Sequence, residues 1–248
     1  MQMTDLQEKR FNRIFNIFIL AGMICVTLVV NIFKMQEPGA DILKMVIVTV
    51  GAIMGVFNCV LSANGMIWNF IFGVVNVSIC AYTNFDSGNM GQFLLHVLYF
   101  LPMQFVGIWQ WHKRGAKGGD APAVRRLKAG QWGIVATSIL VGIVLVYGLL
   151  YYIDVARGAT IEHGKIALDS TVMVLNITGQ VLLSLAFADS WFIWILVNIF
   201  SIALWTNRAL ASGSGSYAPV MITKYVFFFF NSLNGLRLWL KFDRKQRQ

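Results

Sequence analysis

Eight apolar stretches, each 17 to 23 residues long, constrain this chain more than any other feature of its sequence. In chain order we call them spans A to H. They lie at residues 14–33, 42–62, 66–83, 91–111, 131–153, 167–187, 191–207 and 219–240. A helix needs about 20 mostly apolar residues to cross a bilayer. Charged residues make up only 12% of the chain, about half the fraction of a soluble domain, so the sequence predicts an all-α integral membrane protein.

The basic residues predict the orientation of these spans. With the N-terminus in the cytoplasm, thirteen lysines and arginines fall on the cytoplasmic side and four on the outer side. Cytoplasmic loops are enriched in these residues. The loop between spans D and E holds six basic residues. If the chain had one span more or fewer before this loop, they would lie on the other side of the membrane from the three basic residues of the N-terminal tail. Both termini are therefore expected in the cytoplasm, and topology explains the net charge of +9 without a nucleic-acid partner.

Short matches about 126 residues apart predict an internal repeat of spans B, C and D as spans F, G and H. The matches pair Trp68 with Trp194, Asp86-Ser87-Gly88 with Gly213-Ser214-Gly215, and Gly107 and Trp111 with Gly235 and Trp239. A unit of three spans is odd in number, so span E is needed to give both units the same orientation. The sequence thus predicts a parallel repeat of three plus one plus three helices around a central passage, an architecture that favours a transporter.

This architecture divides the chain into five segments, with span A as an extra N-terminal helix. The segments are 1–41 (tail and extra transmembrane helix), 42–112 (first three-helix repeat), 113–166 (basic cytoplasmic loop and linker helix), 167–241 (second repeat) and 242–248 (basic cytoplasmic tail). Packing is the only role that the sequence suggests for span A.

The spans contain many uncharged polar side chains and almost no carboxylates. Asp86, Asp154, Asp169 and Asp189 lie at or near span ends. Ion-coupled carriers usually have an acidic residue within a span, so passive transport is favoured. The amides and hydroxyls within the spans must find partners, which are either other helices or a solute. They are Asn58, Ser62, Asn76, Gln104, Asn176, Gln180, Ser184, Asn231 and Asn234.

The tryptophans of span G form a candidate binding face. Trp191, Trp194 and Asn198 have the spacing i, i+3 and i+7, which places them on one side of a helix. Two indoles one turn apart can clamp a flat cationic ring, with about 0.5–2 kcal/mol for each cation–π contact. The tryptophans near the other span ends are expected to be anchors at the membrane interface. They are Trp109, Trp111, Trp132, Trp205 and Trp239.

Two residues interrupt the apolar pattern. Pro102 lies near the middle of span D and leaves the carbonyl of Leu98 without its helical donor, as at a hinge or an ordinary kink. Lys224 lies about one turn into span H and is expected to extend to the interface.

No cofactor, metal site or catalytic cluster is predicted. Cys25, Cys59 and Cys80 lie in apolar runs without metal-ligand spacing, and the three histidines are scattered. There is also no nucleophile motif, so an enzyme is not expected.

Three features together resemble the PnuC family of bacterial vitamin transporters. They are the motif Trp191-x-x-Trp194-x-x-x-Asn198, the segment SANGMIWNFIFGVVN from Ser62 to Asn76, and the three-one-three order. The resemblance covers spans B to H. It implies a SWEET-like fold, a homotrimer in the bacterial inner membrane, and facilitated diffusion of nicotinamide riboside, which an intracellular kinase then traps by phosphorylation for NAD biosynthesis.

The resemblance also implies a set of binding residues. Trp191, Trp194 and Asn198 would line the substrate site, with Gln104 and Asn76 from the first repeat. The amides Gln180 and Asn231, and Trp68 as the counterpart of Trp194, complete the predicted set.

Other solutes and functions stay open on the sequence alone. Thiamine and deoxynucleosides would fit indoles and amides nearly as well, and a sugar could stack on the same indoles. A retinal protein would use the lysine of the last span, but Lys224 lies too near the start of span H and no acid in span C provides a counter-ion. A membrane-embedded enzyme lacks its catalytic residues.

Overall fold

The computed structural model describes residues 5–36, 41–86, 90–210 and 217–248, and most of them are helical. The elements are α1 (Asp5–Met35), α2 (Ile42–Ala63), α3 (Asn69–Asp86), α4 (Met90–Leu95), a π-helical turn (His96–Phe100), α5 (Leu101–Lys113), α6 (Ala129–Ala156), α7 (His163–Ser184), α8 (Ser190–Leu210) and α9 (Tyr217–Gln246). α4, the π-helical turn and α5 form one continuous helix. Each predicted span therefore has a helix at its position.

Six of the described helices are long and apolar enough to cross a membrane. They are α1, α2, the continuous α4–α5 helix, α6, α7 and α8. α3 and α9, which correspond to spans C and H, do not meet this criterion, because asparagines in α3 and polar and basic residues in α9 lower their mean hydropathy. The chain is thus a multi-pass membrane protein, and the count of eight spans stays a prediction.

The α2–α3 and α7–α8 turns have the same geometry. Their backbone hydrogen bonds are Gly65 N to Ser62 O (3.0 Å), Met66 N to Leu61 O (3.0 Å), Ala186 N to Leu183 O (2.9 Å) and Phe187 N to Leu182 O (2.9 Å). Gly65 and Ala186 have positive φ angles of 70° and 59°, as in the Schellman motif that ends many helices. They are 121 positions apart, not the 126 that Trp68 and Trp194 suggested. The predicted match of residues 86–88 with 213–215 lies, apart from Asp86, outside the described residues.

Two buried indoles join the helices at the end of the bundle where both turns lie, which we call the turn end. Trp111 Nε1 donates to the carbonyl of Leu183 at 2.9 Å, and Trp239 Nε1 donates to that of Ser62 at 3.1 Å. Both acceptors lie at helix C-termini, where carbonyls lack intrahelical donors. The two rings are fully buried and meet edge to face, with centroids 5.3 Å apart. The prediction that Trp111 and Trp239 are interfacial anchors is therefore wrong, because these indoles fill the core.

The helices pack in a crossed arrangement. α2 contacts α3 and α9, while α5 contacts α3 and α7, and α8 contacts α7 and α9. The first helix of each predicted repeat thus lies against the last helix of the other. α6 packs against α7, and none of its residues, all of which the structure describes, is buried. α1 packs against α2 and α9.

The loop from 114 to 128 closes the turn end. Arg125 N donates to Ala186 O at 2.8 Å, and Arg125 O accepts from Ala188 N at 2.9 Å. The fully buried carboxylate of Asp189 accepts from Leu127 N at 2.7 Å and from Arg126 Nε at 3.2 Å. Since Asp189 directly precedes α8, its negative charge also favours the positive end of that helix. The loop therefore joins the end of α5 to the start of α8.

Candidate substrate site

A cavity of about 280 Å³ lies above the buried tryptophan layer, between the two predicted repeats. Seven of the eight predicted binding residues line it. They are Asn76, Gln104, Gln180, Trp191, Trp194, Asn198 and Asn231. Helices α2, α3, α7, α8 and α9 and the continuous α4–α5 helix all contribute side chains.

Trp68 does not line this cavity. It immediately precedes α3, and its side chain is 48% exposed. By the geometry of the two turns, Trp68 matches Asp189, whereas Trp194 matches Gly73, which does line the cavity. The sequence match of Trp68 with Trp194 therefore used the wrong register, because Ala186 occupies the place of the glycine in the second turn.

Four buried polar atoms on side chains that line the cavity have no hydrogen-bond partner among the described residues. Two are donors, Trp191 Nε1 and Trp194 Nε1, and two are acceptors, Gln104 Oε1 and Asn231 Oδ1. A buried polar group without a partner costs about 1–3 kcal/mol. Because all four belong to side chains around one cavity, they point to a ligand that offers both hydrogen-bond donors and acceptors.

The amides that line the cavity use their N–H groups within the protein. Asn76 donates to Gly51 O at 2.8 Å, and Asn231 donates to Cys59 O at 3.1 Å. Asn198 donates to Trp194 O at 2.8 Å and to Ser232 Oγ at 2.9 Å. Gln104 and Gln180 donate to Phe100 O and Ser184 Oγ in the same way. The bonds of Asn76, Asn231 and Asn198 to Gly51, Cys59 and Ser232 join neighbouring helices, and the others lie within one helix. Together they fix the direction of each amide, which is the arrangement of a pre-formed site.

Glycines on neighbouring helices make room for the predicted binding side chains. A Cβ at Gly235 would lie 2.5 Å from the ring of Trp191, and one at Gly179 would lie 3.1 Å from that of Trp194. A Cβ at Gly73 would overlap Gln104 Oε1. The sequence did not reveal these contacts, since each pairs residues far apart in the chain.

The two indoles differ in exposure. Trp191 is 3% exposed and meets Trp239 edge to face, with centroids 6.0 Å apart, so it forms the floor of the cavity. Trp194 is only partly buried and has more ring surface open to a ligand.

The side chains that line the cavity, all from the described residues, include no aspartate, glutamate, lysine or arginine. Asp86 pairs with Lys44, and Asp169 pairs with Arg208 at 3.0 Å, both outside the cavity. The described residues also contain no cluster of three or more side chains able to bind a metal. Neutral dipoles and aromatic faces are therefore the means by which this site can select a ligand.

Pro102 creates the π-helical turn that shapes one wall. Its ring would clash with the carbonyl four residues earlier in a regular helix, and a wider turn avoids this clash. The turn at His96–Phe100 directly precedes Leu101 and Pro102. His96 and Phe100 line the cavity, and the Tyr99 hydroxyl donates to Ile177 O on α7 at 2.6 Å. The sequence predicted a disruption at Pro102 but not the place of His96 in the cavity lining, since it treated His96 as one of three scattered histidines.

Comparisons with known proteins show what this chain is similar to. A family model described as "Nicotinamide mononucleotide transporter" matches residues 45–241. The nicotinamide riboside transporter PnuC of Neisseria mucosa is 30% identical over 201 residues, which cover 79% of this chain and 73% of that protein. The corresponding protein of Haemophilus influenzae is 25% identical over 200 residues, 79% of this chain and 80% of that one. A crystal structure of the vitamin B3 transporter PnuC matches 98% of this chain and 94% of its own, with a TM-score of 0.67 and 26% identity.

Proposed function

The chain belongs to the PnuC family of membrane transporters, and from this premise we propose that it carries nicotinamide riboside across the bacterial inner membrane. The observation that carries the proposal is a cavity whose described lining has no aspartate, glutamate, lysine or arginine and whose side chains include two unpartnered indole N–H donors and two unpartnered amide acceptors. Its volume of about 280 Å³ is near the lower limit for small-molecule sites, about 300–1,000 Å³. A single nucleoside is of the appropriate size.

The chemistry of the ligand complements these groups. Nicotinamide riboside has a pyridinium ring, a carboxamide and sugar hydroxyls. Trp194 stacks on the cationic ring, and this contact contributes about 0.5–2 kcal/mol. The indole N–H groups donate to carboxamide or hydroxyl oxygens, while Gln104 Oε1 and Asn231 Oδ1 accept from N–H or O–H groups. A cation is thus recognised without a buried carboxylate.

The same lining favours the riboside over the mononucleotide. A phosphate group needs lysine, arginine or several backbone N–H donors to replace its hydration. The described lining contains neither lysine nor arginine. A nucleoside without phosphate is therefore the better ligand.

Transport is uncoupled in this proposal, and phosphorylation by an intracellular kinase retains the product. A coupling ion would need a charged partner within low dielectric, and the described lining offers no carboxylate.

The two repeats are parallel in a SWEET-like three-one-three arrangement with both termini in the cytoplasm. Support comes from the crossed packing, the paired turns and the reciprocal indole bonds. The protein acts as a homotrimer, for which the unburied apolar surface of α6 offers contact area.

Uptake into proteoliposomes tests this function. Labelled nicotinamide riboside should equilibrate across the membrane, and ionophores that dissipate proton and sodium gradients should leave the rate unchanged. Trp194→Ala should lower affinity at least tenfold, whereas Trp109→Ala, which removes a side chain that is 59% exposed, should have little effect.

Competition separates the possible solutes. Thiamine, a deoxynucleoside, a sugar and nicotinamide mononucleotide should each compete less well than unlabelled riboside. Gradient-driven accumulation would contradict uncoupled transport, and equal losses in the two tryptophan variants would contradict the proposed site.

A further inference from the structure

Among the described residues that line the cavity, His96 is the one histidine. It opens the π-helical turn, and its ring lies 5.4 Å from that of Phe100, which also lines the cavity. π-Helical turns within α-helices occur frequently at functional sites. Neither the sequence motif nor the set of unpartnered atoms assigns this residue a role.

The hydrogen bond of His96 fixes the position of its proton. Nδ1 lies 2.7 Å from the backbone carbonyl of Gln92. A carbonyl oxygen can only accept, so Nδ1 carries the hydrogen. In the neutral ring, Nε2 is then an acceptor. Since Nδ1 is engaged within its own helix, Nε2 is the ring atom left to bind a ligand in the cavity.

We propose that His96 determines which charge state of a pyridine nucleoside the site accepts. The neutral imidazole accepts a hydrogen bond from the carboxamide or a hydroxyl of a cationic nucleoside. The protonated imidazole instead donates from Nε2 and places a positive charge beside the pyridinium. The inference rests on the proposed function: the neutral ring admits a cationic nucleoside, and the protonated ring disfavours it.

The surroundings of His96 provide little to neutralise its protonated form. α3, which packs against the π-helical turn, carries Cys80, Tyr82 and Asp86, and Asp86 is paired with Lys44. The other titratable side chains in the described lining are Cys59 on α2 and Tyr225 on α9. On α7, Asp169 is paired with Arg208. Lys224 on α9 adds a positive charge 5.5 Å from the ring of Phe228, which lines the cavity. Repulsion between a protonated His96 and a cationic ligand is therefore not compensated by a carboxylate of the lining.

Binding titrations of the purified full-length protein at pH 5.5, 6.5 and 7.5 test the proposal. For nicotinamide riboside we expect weaker binding at pH 5.5 than at pH 7.5, because a protonated imidazole places a positive charge beside the pyridinium. The analogue in which a carboxylate replaces the carboxamide carries its own negative charge. Its affinity relative to nicotinamide riboside should rise at pH 5.5.

Two substitutions of His96 separate the role of Nε2 from that of Nδ1. His96→Gln keeps a neutral acceptor near the position of Nε2 and should retain affinity at pH 7.5 while losing the pH dependence. His96→Asn has its amide near the position of Nδ1 and should bind several-fold more weakly than the wild type at pH 7.5, without a pH dependence. His163→Gln is the matched control, because His163 bonds to the hydroxyl of Tyr147 outside the cavity, and it should keep the wild-type pH profile.

Each alternative outcome is distinct. Wild-type binding that does not change with pH, or a pH dependence that persists in His96→Gln, would overturn the role of His96 and leave the proposed function intact. No binding of nicotinamide riboside at any pH would overturn the proposed function and this inference with it.

Discussion

At the scale of single residues, the space beside Gly73 controls the position of the Gln104 amide. A Cβ at Gly73 would overlap Gln104 Oε1 and lie 2.6 Å from Asn58 Nδ2, so both amides would have to move. We expect Gly73→Ala to weaken nicotinamide riboside binding about tenfold, the loss of roughly one hydrogen bond. Thermal stability should change little, because alanine also favours the helix by about 1 kcal/mol.

Gly148 on α6 provides the matched control, since a Cβ there meets nothing within 4 Å. Gly148→Ala should raise thermal stability slightly and leave the dissociation constant unchanged. Equal affinity of the two variants in a binding titration would mean that the Gln104 amide does not contact the ligand.

The sequence identifies single residues well where helical periodicity is enough. Trp191, Trp194 and Asn198 were found from their spacing alone, and all three line the cavity. The sequence does not reveal which polar atoms lack partners, because that depends on neighbours distant in the chain. It also misassigned Trp239 as an interfacial anchor, because a position near a span end is equally compatible with a buried donor to a helix C-terminus.

At the scale of elements, Pro102 determines the orientation of the wall that carries His96. Proline in a helix interior removes a hydrogen bond and costs about 3 kcal/mol or more. Pro102→Ala should therefore favour a regular helix in place of the π-helical turn. An α-helical turn holds one residue fewer than a π-helical turn. The change would therefore rotate the preceding part of the helix by about 100° and move His96 away from the cavity. We expect weaker binding of nicotinamide riboside together with equal or higher thermal stability.

Pro219→Ala is the control for that variant. Pro219 lies in the first turn of α9, where a missing N–H has no intrahelical partner to lose. Its affinity and its binding profile between pH 5.5 and 7.5 should match those of the wild type. If Pro102→Ala also retained both, the π-helical turn would not be what positions His96.

The positions of the helices were predictable, whereas their relative register was not. Long apolar stretches fix where helices occur within a few residues, because bilayer thickness sets their length. The register of the repeat depends on turn geometry, and Ala186 adopts the positive φ that glycine adopts at position 65. That substitution hides the equivalence of the two turns from a comparison of residue types.

At the scale of the whole molecule, the bundle has two chemically different ends. The turn end contains the buried Trp111 and Trp239, the loop 114–128 and the Asp189 network. The opposite end carries the pairs Lys44–Asp86 and Asp169–Arg208. Basic residues are concentrated in the loop and tails at the turn end, which the positive-inside rule assigns to the cytoplasm. The tryptophan layer closes the cavity at the turn end, and the proposed orientation makes this closed end the cytoplasmic one.

Labelling of single cysteines tests that orientation. Lys117 lies in the loop that precedes α6 and Arg157 directly follows α6, and both residues are exposed. In intact cells, a membrane-impermeant maleimide should label Arg157→Cys but should label Lys117→Cys only after permeabilisation. The wild type gives the background, because Cys25, Cys59 and Cys80 all lie within helices. The reverse pattern would place the loop outside the cell, and the tryptophan layer would then close the cavity towards the outside instead.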